Sequence, residues 1–192
     1  MYDEALYWDS RYLAGGNSGS GSRGKEGDWK ARFVIEEAKR AKPQTVLDLG
    51  SGDGVVGAQI MRSLPSSLYL GVDISSAAVE SSCRQRTPNM QFLVEDLVSS
   101  RHTADLVLCL DVLFHLPTEQ RQREALEAIG RSFEKSAVVA AWNSGVLSLG
   151  ELAPHCFFFP FVPPPGTVIY KQETLPMNPV KTMYVLHRSE VG

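Results

Sequence analysis

A glycine-rich turn follows the first strongly apolar segment of the chain, at residues 46–54 (VLDLGSGDG). Glycine suits positions where φ must be positive or where a side chain would collide with a ligand, and the start of a following helix offers free N–H groups. Asp48 lies within the apolar segment, where burying a carboxylate is costly unless a partner satisfies it. The segment therefore predicts a ligand site, with a cationic ligand group as a suitable partner for Asp48.

Two further acids follow the next two apolar segments. Asp73 comes directly after residues 68–72, and Asp96 closely follows residues 90–94. One acid at a strand end is as often a solvated surface group, and the prediction therefore depends on the three acids as a set.

Asp111 and His115 follow a fourth apolar segment, at residues 106–110. A histidine with a pKa near neutrality suits a general base that removes a proton from a hydroxyl. Asp111 would orient it or serve as an alternative base, because residues four apart share one face of a helical turn. The other interpretation is that His115 caps the next helix or bonds within the core.

The segment from Asp48 to Gly52 fits the first motif of the class I S-adenosylmethionine-dependent methyltransferases, an acid followed by x-Gly-x-Gly, and the order of the later acids also resembles that family. The resemblance implies S-adenosylmethionine as the cofactor, held mainly by backbone at the first motif, so that Ser51 in place of a frequent cysteine changes little. It implies cofactor contacts from Asp48, Gly50, Ser51 and Gly52 at the methionine part, Asp73 and Ile74 at the ribose and adenine, Asp96 and Leu97 at the adenine, and Leu110 beside the acceptor.

The N-terminal motif Tyr7-Trp8-Asp9-x-Arg11-Tyr12, with the glycine and serine run after it, resembles a group of small bacterial methyltransferases linked to saccharide or natural-product pathways. The resemblance extends to about residue 143, is strongest at 48–96 and becomes weaker towards the C-terminus. The resemblance therefore implies the identity of the cofactor, whereas it leaves the identity of the acceptor open.

A nicotinamide-dependent dehydrogenase is the competing interpretation, because Gly52, Gly54 and Gly57 fit G-x-G-x-x-G and Asp73 follows at a suitable distance. In dinucleotide-binding folds the first glycine closes the strand directly. Here that position belongs to Gly50, and the frame that starts there has Val55 where the third glycine should be. The register therefore favours the methyltransferase.

Strands and helices alternate along most of the chain, which predicts an α/β fold with a doubly wound, Rossmann-like sheet that is mostly parallel, has helices on both faces and ends in an antiparallel strand. The predicted strands are 45–49, 68–72, 90–94, 106–110, 137–142, 167–172 and 182–187, and the predicted helices are 29–41, 55–63, 76–86 and 118–133. The proline-rich run at 157–166 excludes a regular central strand there, because proline lacks the ladder donor.

Residues 1–28 are short of aliphatic side chains and rich in glycine and serine, which predicts a flexible N-terminal arm or lid. Trp8 and Tyr12 give this arm rings with which to pack, and we expect both to contact the cofactor. A disordered tail is the alternative. Residues 29–192 suffice for a single methyltransferase domain.

The formal net charge of −3 provides no general basic field for a nucleic-acid backbone, so no nucleic-acid partner is expected. Cys83, Cys109 and Cys156 lie far apart without a C-x-x-C pair, which indicates neither a disulfide framework nor a metal site. Since no leader-like start or membrane-spanning segment is visible, we predict a cytoplasmic protein with no membrane partner.

The sequence thus predicts an S-adenosylmethionine-dependent methyltransferase that acts on a hydroxyl of a small molecule or saccharide. An N-methyltransferase of a small amine is the next interpretation, because an unprotonated amine needs no base. A non-catalytic cofactor-binding protein would share the first three motifs. The sequence does not distinguish between acceptors or between oligomeric states.

Overall fold

The central element of the computed structural model, which describes residues 2–143 and 153–189, is a seven-stranded sheet in the order β3-β2-β1-β4-β5-β7-β6. Strands β1 to β5 are parallel, whereas β7 runs antiparallel to both β5 and β6. The strands are β1 Thr45–Leu49, β2 Leu68–Asp73, β3 Met90–Val94, β4 Ala104–Leu110, β5 Phe133–Trp142, β6 Thr167–Leu175 and β7 Asn178–Arg188. The predicted fold class is confirmed.

The α-helices of the described residues are α1 Glu4–Leu13, α2 Gly24–Ala41, α3 Val55–Met61, α4 Ser76–Ser82 and α5 Glu119–Ser132. Side-chain caps fix three of the helix starts: Asp3 accepts from the backbone N–H of Leu6, Ser75 from that of Ala78, and Thr118 from that of Arg121. Helix α2 ends at Ala41, its C-cap residue Lys42 has the left-handed conformation, and Pro43 follows directly.

Two apolar clusters cover the two faces of the sheet. Leu47 and Leu49 of β1 pack with Ile129 of α5 on one face, while Val46 packs with Val34 of α2 on the other. Strands buried on both faces consist of continuous apolar runs, and this is why they could be predicted from the sequence. The same burial makes any acid in these strands conspicuous.

The order of the strands places a crevice at one edge of the sheet. Strand β1 pairs with β2 on one side and with β4 on the other, so the chain leaves β1 and β4 in opposite directions. In open α/β sheets, ligands bind at the carboxyl ends of the strands at such a switch point. A ligand site is therefore expected at the turns that follow β1 to β4.

The predicted start of the helix at residue 29 is wrong, because α2 begins at Gly24, and a further helix, α1, lies within residues 1–28. Glycine weakens a helix, but here close packing outweighs that preference. A Cβ on the buried Gly27 would lie 2.7 Å from the backbone carbon of Ser22, so only glycine lets α2 begin this close to the preceding turn.

The C-terminal elements are longer than predicted. Strand β5 begins at Phe133, directly after α5, and β6 and β7 form a hairpin with a short connection at residues 176–177. Residues 157–164 form no strand, as the prolines required. In the part of the chain that the structure describes, no helix is both long and apolar enough to cross a membrane.

Candidate functional site

A cleft of about 930 Å³, its open mouth included, lies at the carboxyl ends of β1 to β4. Every site residue that the sequence predicted lines this cleft. They are Trp8, Tyr12, Asp48, Gly50, Ser51, Gly52, Asp73, Ile74, Asp96, Leu97, Leu110, Asp111 and His115. Segments distant in the sequence therefore meet where the strand order predicts a ligand.

The glycine-rich turn forms the floor of the cleft. Gly50 and Gly52 have φ of +83° and +56°, in the left-handed region that disfavours other residues. A Cβ on Gly50 would collide with the side chain of Val112, so the turn also packs closely against the segment after β4. The backbone N–H of Gly50 donates to the carbonyl of Val72 at 2.8 Å, which ties the turn to β2.

Asp48 has a hydrogen-bond partner within the protein and does not depend on a cationic ligand group. The hydroxyl of Tyr69 donates to its carboxylate at 2.7 Å, and only 4% of Asp48 is exposed. Burial raises the pKa of Asp48 to about 6, against the opposing effect of the Tyr69 hydrogen bond. The acid is thus held beneath the glycine-rich turn.

Asp73 ends β2 and accepts two backbone hydrogen bonds, from Gly52 at 2.8 Å and from Ser75 at 3.0 Å. Burial raises the pKa of Asp73 to about 6 in spite of these two donors. Each carboxylate oxygen has a second lone pair, so the group retains capacity for ligand hydroxyls. Its bond to Gly52 fixes it relative to the glycine-rich turn.

Asp96 is held by an arginine that the sequence analysis did not single out. Arg121, at the start of α5, donates to Asp96 at 2.7 Å and to Glu4 of α1 at 3.1 Å. These carboxylates raise the pKa of Arg121, although burial opposes them. One guanidinium thus joins the N-terminal helix to the acid that follows β3.

Asp111 lies between two buried lysines. Lys30 of α2 and Lys181 of β7 both donate to its Oδ2 atom, and Lys181 also bonds to Glu26 at 2.7 Å. The lysines lower the pKa of Asp111 against the effect of burial. Its Oδ1 atom is buried, with no hydrogen-bond partner among the described residues. Asp111 is therefore an ionised acceptor in the wall of the cleft.

His115 lies on a 3₁₀ turn, Leu113–His115, with its Nδ1 atom 2.8 Å from the carbonyl oxygen of His155. Its ring packs edge-on against Trp8, with centroids 5.0 Å apart. Burial lowers the pKa of His115 to about 4, where the sequence analysis expected a value near neutrality. No hydrogen bond between His115 and Asp111 occurs among the described residues, so Asp111 does not orient this imidazole here.

The N-terminal segment lies over the glycine-rich turn. The Tyr12 hydroxyl and the Ser18 Oγ atom form a hydrogen bond of 2.6 Å, and Ser18 Oγ accepts from the backbone N–H of Asp53 at 3.1 Å. Arg23 pairs with the Asp53 carboxylate at 2.5 Å. A Cβ on Gly52 would collide with Ser18, so the segment approaches the turn as closely as glycine allows.

Helix α1 is attached on a second side through Asp9. Its carboxylate accepts from the Ser75 hydroxyl at 2.6 Å and from the backbone N–H of Ala77 at 3.1 Å. These hydrogen bonds lower the pKa of Asp9. The carboxylate thus supplements the cap at the start of α4 and fixes α1 beside the turn that follows Asp73.

Lys30 and Lys181 are the site residues that sequence reasoning missed, although a signal was present. Lys30 lies four residues before Val34 on the buried face of α2, and Lys181 alternates with the buried residues Met183 and Val185 in β7. A lysine in a buried register requires a carboxylate partner. Arg121 gave no such signal, because it lies among the alternating charges of α5.

The family comparison assigns a domain to the middle of the chain, since residues 47–138 match a family model described as a methyltransferase domain. The chain carries a methyltransferase domain. The predicted resemblance to S-adenosylmethionine-dependent methyltransferases is thus confirmed, and the dehydrogenase interpretation is set aside. No curated protein matches the chain significantly.

Solved structures share the fold of this methyltransferase domain at low sequence identity. Magnesium protoporphyrin IX methyltransferase from Synechocystis PCC 6803 is 18% identical, with 97% of this chain and 100% of that chain covered and a TM-score of 0.70. An O-methyltransferase family protein from Burkholderia thailandensis is 15% identical, covering 98% and 60%, with a TM-score of 0.67. A sugar N-methyltransferase from Streptoalloteichus sp ATCC 53650 is 21% identical, covering 68% and 55%, with a TM-score of 0.58.

Removing Lys30 should destabilise the protein strongly. In the variant Lys30→Met, Lys181 is the one lysine left to pair with the Asp111 carboxylate, which stays largely shielded from water. We therefore expect the free energy of unfolding to fall by about 3–5 kcal/mol in denaturant titrations. The double variant with Asp111→Asn should lose less than the sum of the single losses. The control Lys135→Met breaks an exposed pair with Asp105 and should cost at most about 1 kcal/mol. Equal losses in the two lysine variants would contradict this account.

Proposed function

We propose that the protein transfers the methyl group of S-adenosylmethionine to a hydroxyl of a small molecule or saccharide. When bound, the cofactor supplies an electrophilic methyl group on a sulfonium sulfur. The observation that carries the proposal is the meeting of the glycine-rich turn with Asp48, Asp73 and Asp96 around one cleft. An alkyl sulfonium that also bears an ammonium, a ribose and an adenine needs acceptors of this kind along its length.

The residues of the cleft suit the separate parts of such a ligand. Asp73 can accept from ribose hydroxyls, with Ile74 available as an apolar surface for the adenine, while Asp96 can accept from the adenine amino group. The buried Oδ1 atom of Asp111 is an acceptor still to be satisfied, which suits an ammonium group. Ser51 and Leu97 complete the wall on this side.

The acceptor end of the cleft is formed by Trp8, Leu110, Val112, His115 and Leu116. Methyl transfer from a sulfonium removes charge as it proceeds, so a site that excludes water and aligns the acceptor is the main requirement. The imidazole of His115 is neutral at pH 7 and can accept a hydrogen bond from an acceptor hydroxyl or amine. We assign it the task of orienting the acceptor.

N-methylation is the second candidate, and the environment of His115 is the observation that favours it. A histidine whose pKa is about 4 is a weak proton acceptor, whereas a hydroxyl must lose a proton on methylation. An amine that arrives unprotonated needs no base. Comparison of hydroxyl and amine forms of one acceptor would decide between the two.

We further propose that residues 2–22 act as a lid over the cofactor. The segment contributes Trp8, Tyr12 and Ser18 to the cleft wall. Polar contacts hold it: Asp9 at the start of α4, Ser18 at the glycine-rich turn and Glu4 on Arg121. Such contacts can break and re-form as ligand enters, whereas no residue of α1 is buried in the core.

Loss of the Asp73 carboxylate should weaken cofactor binding. Two hydrogen bonds from ribose hydroxyls to this charged acceptor contribute about 1.5 kcal/mol each, so Asp73→Ala should raise the calorimetric Kd for S-adenosylhomocysteine by roughly 100-fold. The control is Asp105→Ala, which removes a carboxylate that accepts backbone N–H at the opposite edge of the sheet. An unchanged Kd for Asp73→Ala would remove this residue from the site, and tight binding of a nicotinamide dinucleotide instead would overturn the proposal.

Cofactor affinity should depend on pH. Burial raises the pKa of both Asp48 and Asp73 to about 6, and Asp73 must be ionised to accept from two hydroxyls. Binding should therefore be strongest above about pH 7 and weaken by up to about tenfold per pH unit as the pH falls below 6. Calorimetry from pH 5 to 8 measures this, and the Asp73→Ala variant should show a shallower slope. A flat profile for the unaltered protein is the contrary result.

Hydrogen exchange should show the lid. Amides in residues 4–22 should exchange more slowly when S-adenosylhomocysteine is bound, because the ligand contacts Trp8 and Tyr12 from below. Arg121→Ala should speed exchange in α1 of the free protein, since it releases Glu4. Arg123→Ala, which removes an exposed pair within α5, serves as the control and should leave α1 unchanged. Exchange that is equal with and without ligand would indicate a permanently packed helix instead.

A further inference from the structure

Three side chains with metal-binding chemistry meet at His115, in the wall of the cleft. His115, His155 and Cys156 each bring a ligand atom to within 4.8 Å of the others. His115 follows β4, whereas the other two belong to the irregular segment before β6, about 40 residues further on. No spacing rule for metal sites spans such a distance, which is why the sequence indicated none.

The chemistry of this group is that of a zinc site. Imidazole nitrogen and cysteine sulfur are the ligands that zinc prefers, at about 2.0–2.1 Å and 2.3 Å. Tetrahedral angles then place two ligand atoms about 3.3–3.6 Å apart. The Nδ1 atom of His115 already lies 3.8 Å from the sulfur of Cys156. Binding an ion therefore requires the separations among the three ligand atoms, which reach up to 4.8 Å, to shrink by roughly an ångström through small rotations of the side chains.

The surrounding rings hold both imidazoles in place. His155 stacks between Tyr7 and His115, with ring centroids 4.9 Å and 5.3 Å away, and Trp8 packs edge-on against His115. The carbonyl oxygen of His155 lies 2.8 Å from the Nδ1 atom of His115. If the Nε2 atom of His115 binds the ion, the hydrogen bond of Nδ1 to this carbonyl remains and orients the ring. If Nδ1 binds the ion, the metal bond takes the place of that hydrogen bond.

We propose that His115, His155 and Cys156 form a site for one divalent transition-metal ion of the zinc class. Three protein ligands leave one tetrahedral position open, which is the arrangement of catalytic rather than structural zinc sites. Because His115 lines the cleft, an ion bound here can present its open position to the place proposed for the acceptor. An oxygen, nitrogen or sulfur atom of the acceptor would occupy it, and this last assignment rests on the proposed function.

The site can be tested by its spectrum, without any acceptor. Protein freed of metal by a chelator is titrated with CoCl2, and we expect one equivalent to bind, with the visible bands of tetrahedral Co²⁺ and a thiolate-to-metal band in the near ultraviolet. ZnCl2 should displace the Co²⁺ and abolish both. Cys156→Ser should remove the thiolate band and raise the Kd at least tenfold, and His155→Ala should also raise it. Cys83→Ser changes an exposed thiol outside the cluster and should alter nothing.

Two results would overturn the site: no stoichiometric Co²⁺ binding, or a thiolate band that persists in Cys156→Ser and disappears in Cys83→Ser. Circular dichroism checks that each variant is folded. Calorimetry of S-adenosylhomocysteine with the metal-free protein tests the cofactor separately, so failure of the proposed function is distinguishable from failure of the metal site. Once an acceptor is known, full turnover in the presence of chelator would overturn the assignment of the open position.

Discussion

The cost of keeping carboxylates away from water governs this end of the molecule. Asp48 is buried, and Asp73 and Asp111 are half-buried, beside strands that must be apolar to form the sheet. Each is tolerated because it has a specific partner: a tyrosine hydroxyl, backbone N–H groups, or a pair of lysines. The partners come from β2, the glycine-rich turn, α2 and β7. The hydrogen bonds and ion pairs of these acids therefore connect four parts of the fold at the carboxyl edge of the sheet.

The partners also give the acids different properties, although their chemical groups are identical. Burial dominates at Asp48 and Asp73 and raises the pKa of each, whereas Lys30 and Lys181 outweigh burial at Asp111 and lower its pKa. The cleft thus holds acids that titrate near pH 6 beside one that stays ionised. A ligand with both hydroxyl and cationic groups can be matched to this difference.

Much of the cleft could be predicted from the sequence, because its main signals are local. The turn around Gly50 and the acids after β2 and β3 depend on neighbouring residues, and the mostly parallel, doubly wound sheet follows from the alternation of elements. The lysines around Asp111 and the ring of His155 could not be predicted so easily, because their roles depend on contacts across the fold. The start of α2 was misplaced for a similar reason: Gly27 is explained by packing against Ser22, and helix propensity alone argues against it.

The attachments of the N-terminal helix have a consequence for the order in which the protein folds during synthesis. Glu4 is bonded to Arg121, 117 residues later, and Glu26 is bonded to Lys181, 155 residues later. A ribosome adds residues from the N-terminus, so α1 leaves the exit tunnel long before α5 exists, and α2 long before β7. The ion pairs of α1 and α2 with these later elements are therefore among the last contacts of the fold to form. Until then α1, which buries none of its residues in the finished fold, can remain exposed to water.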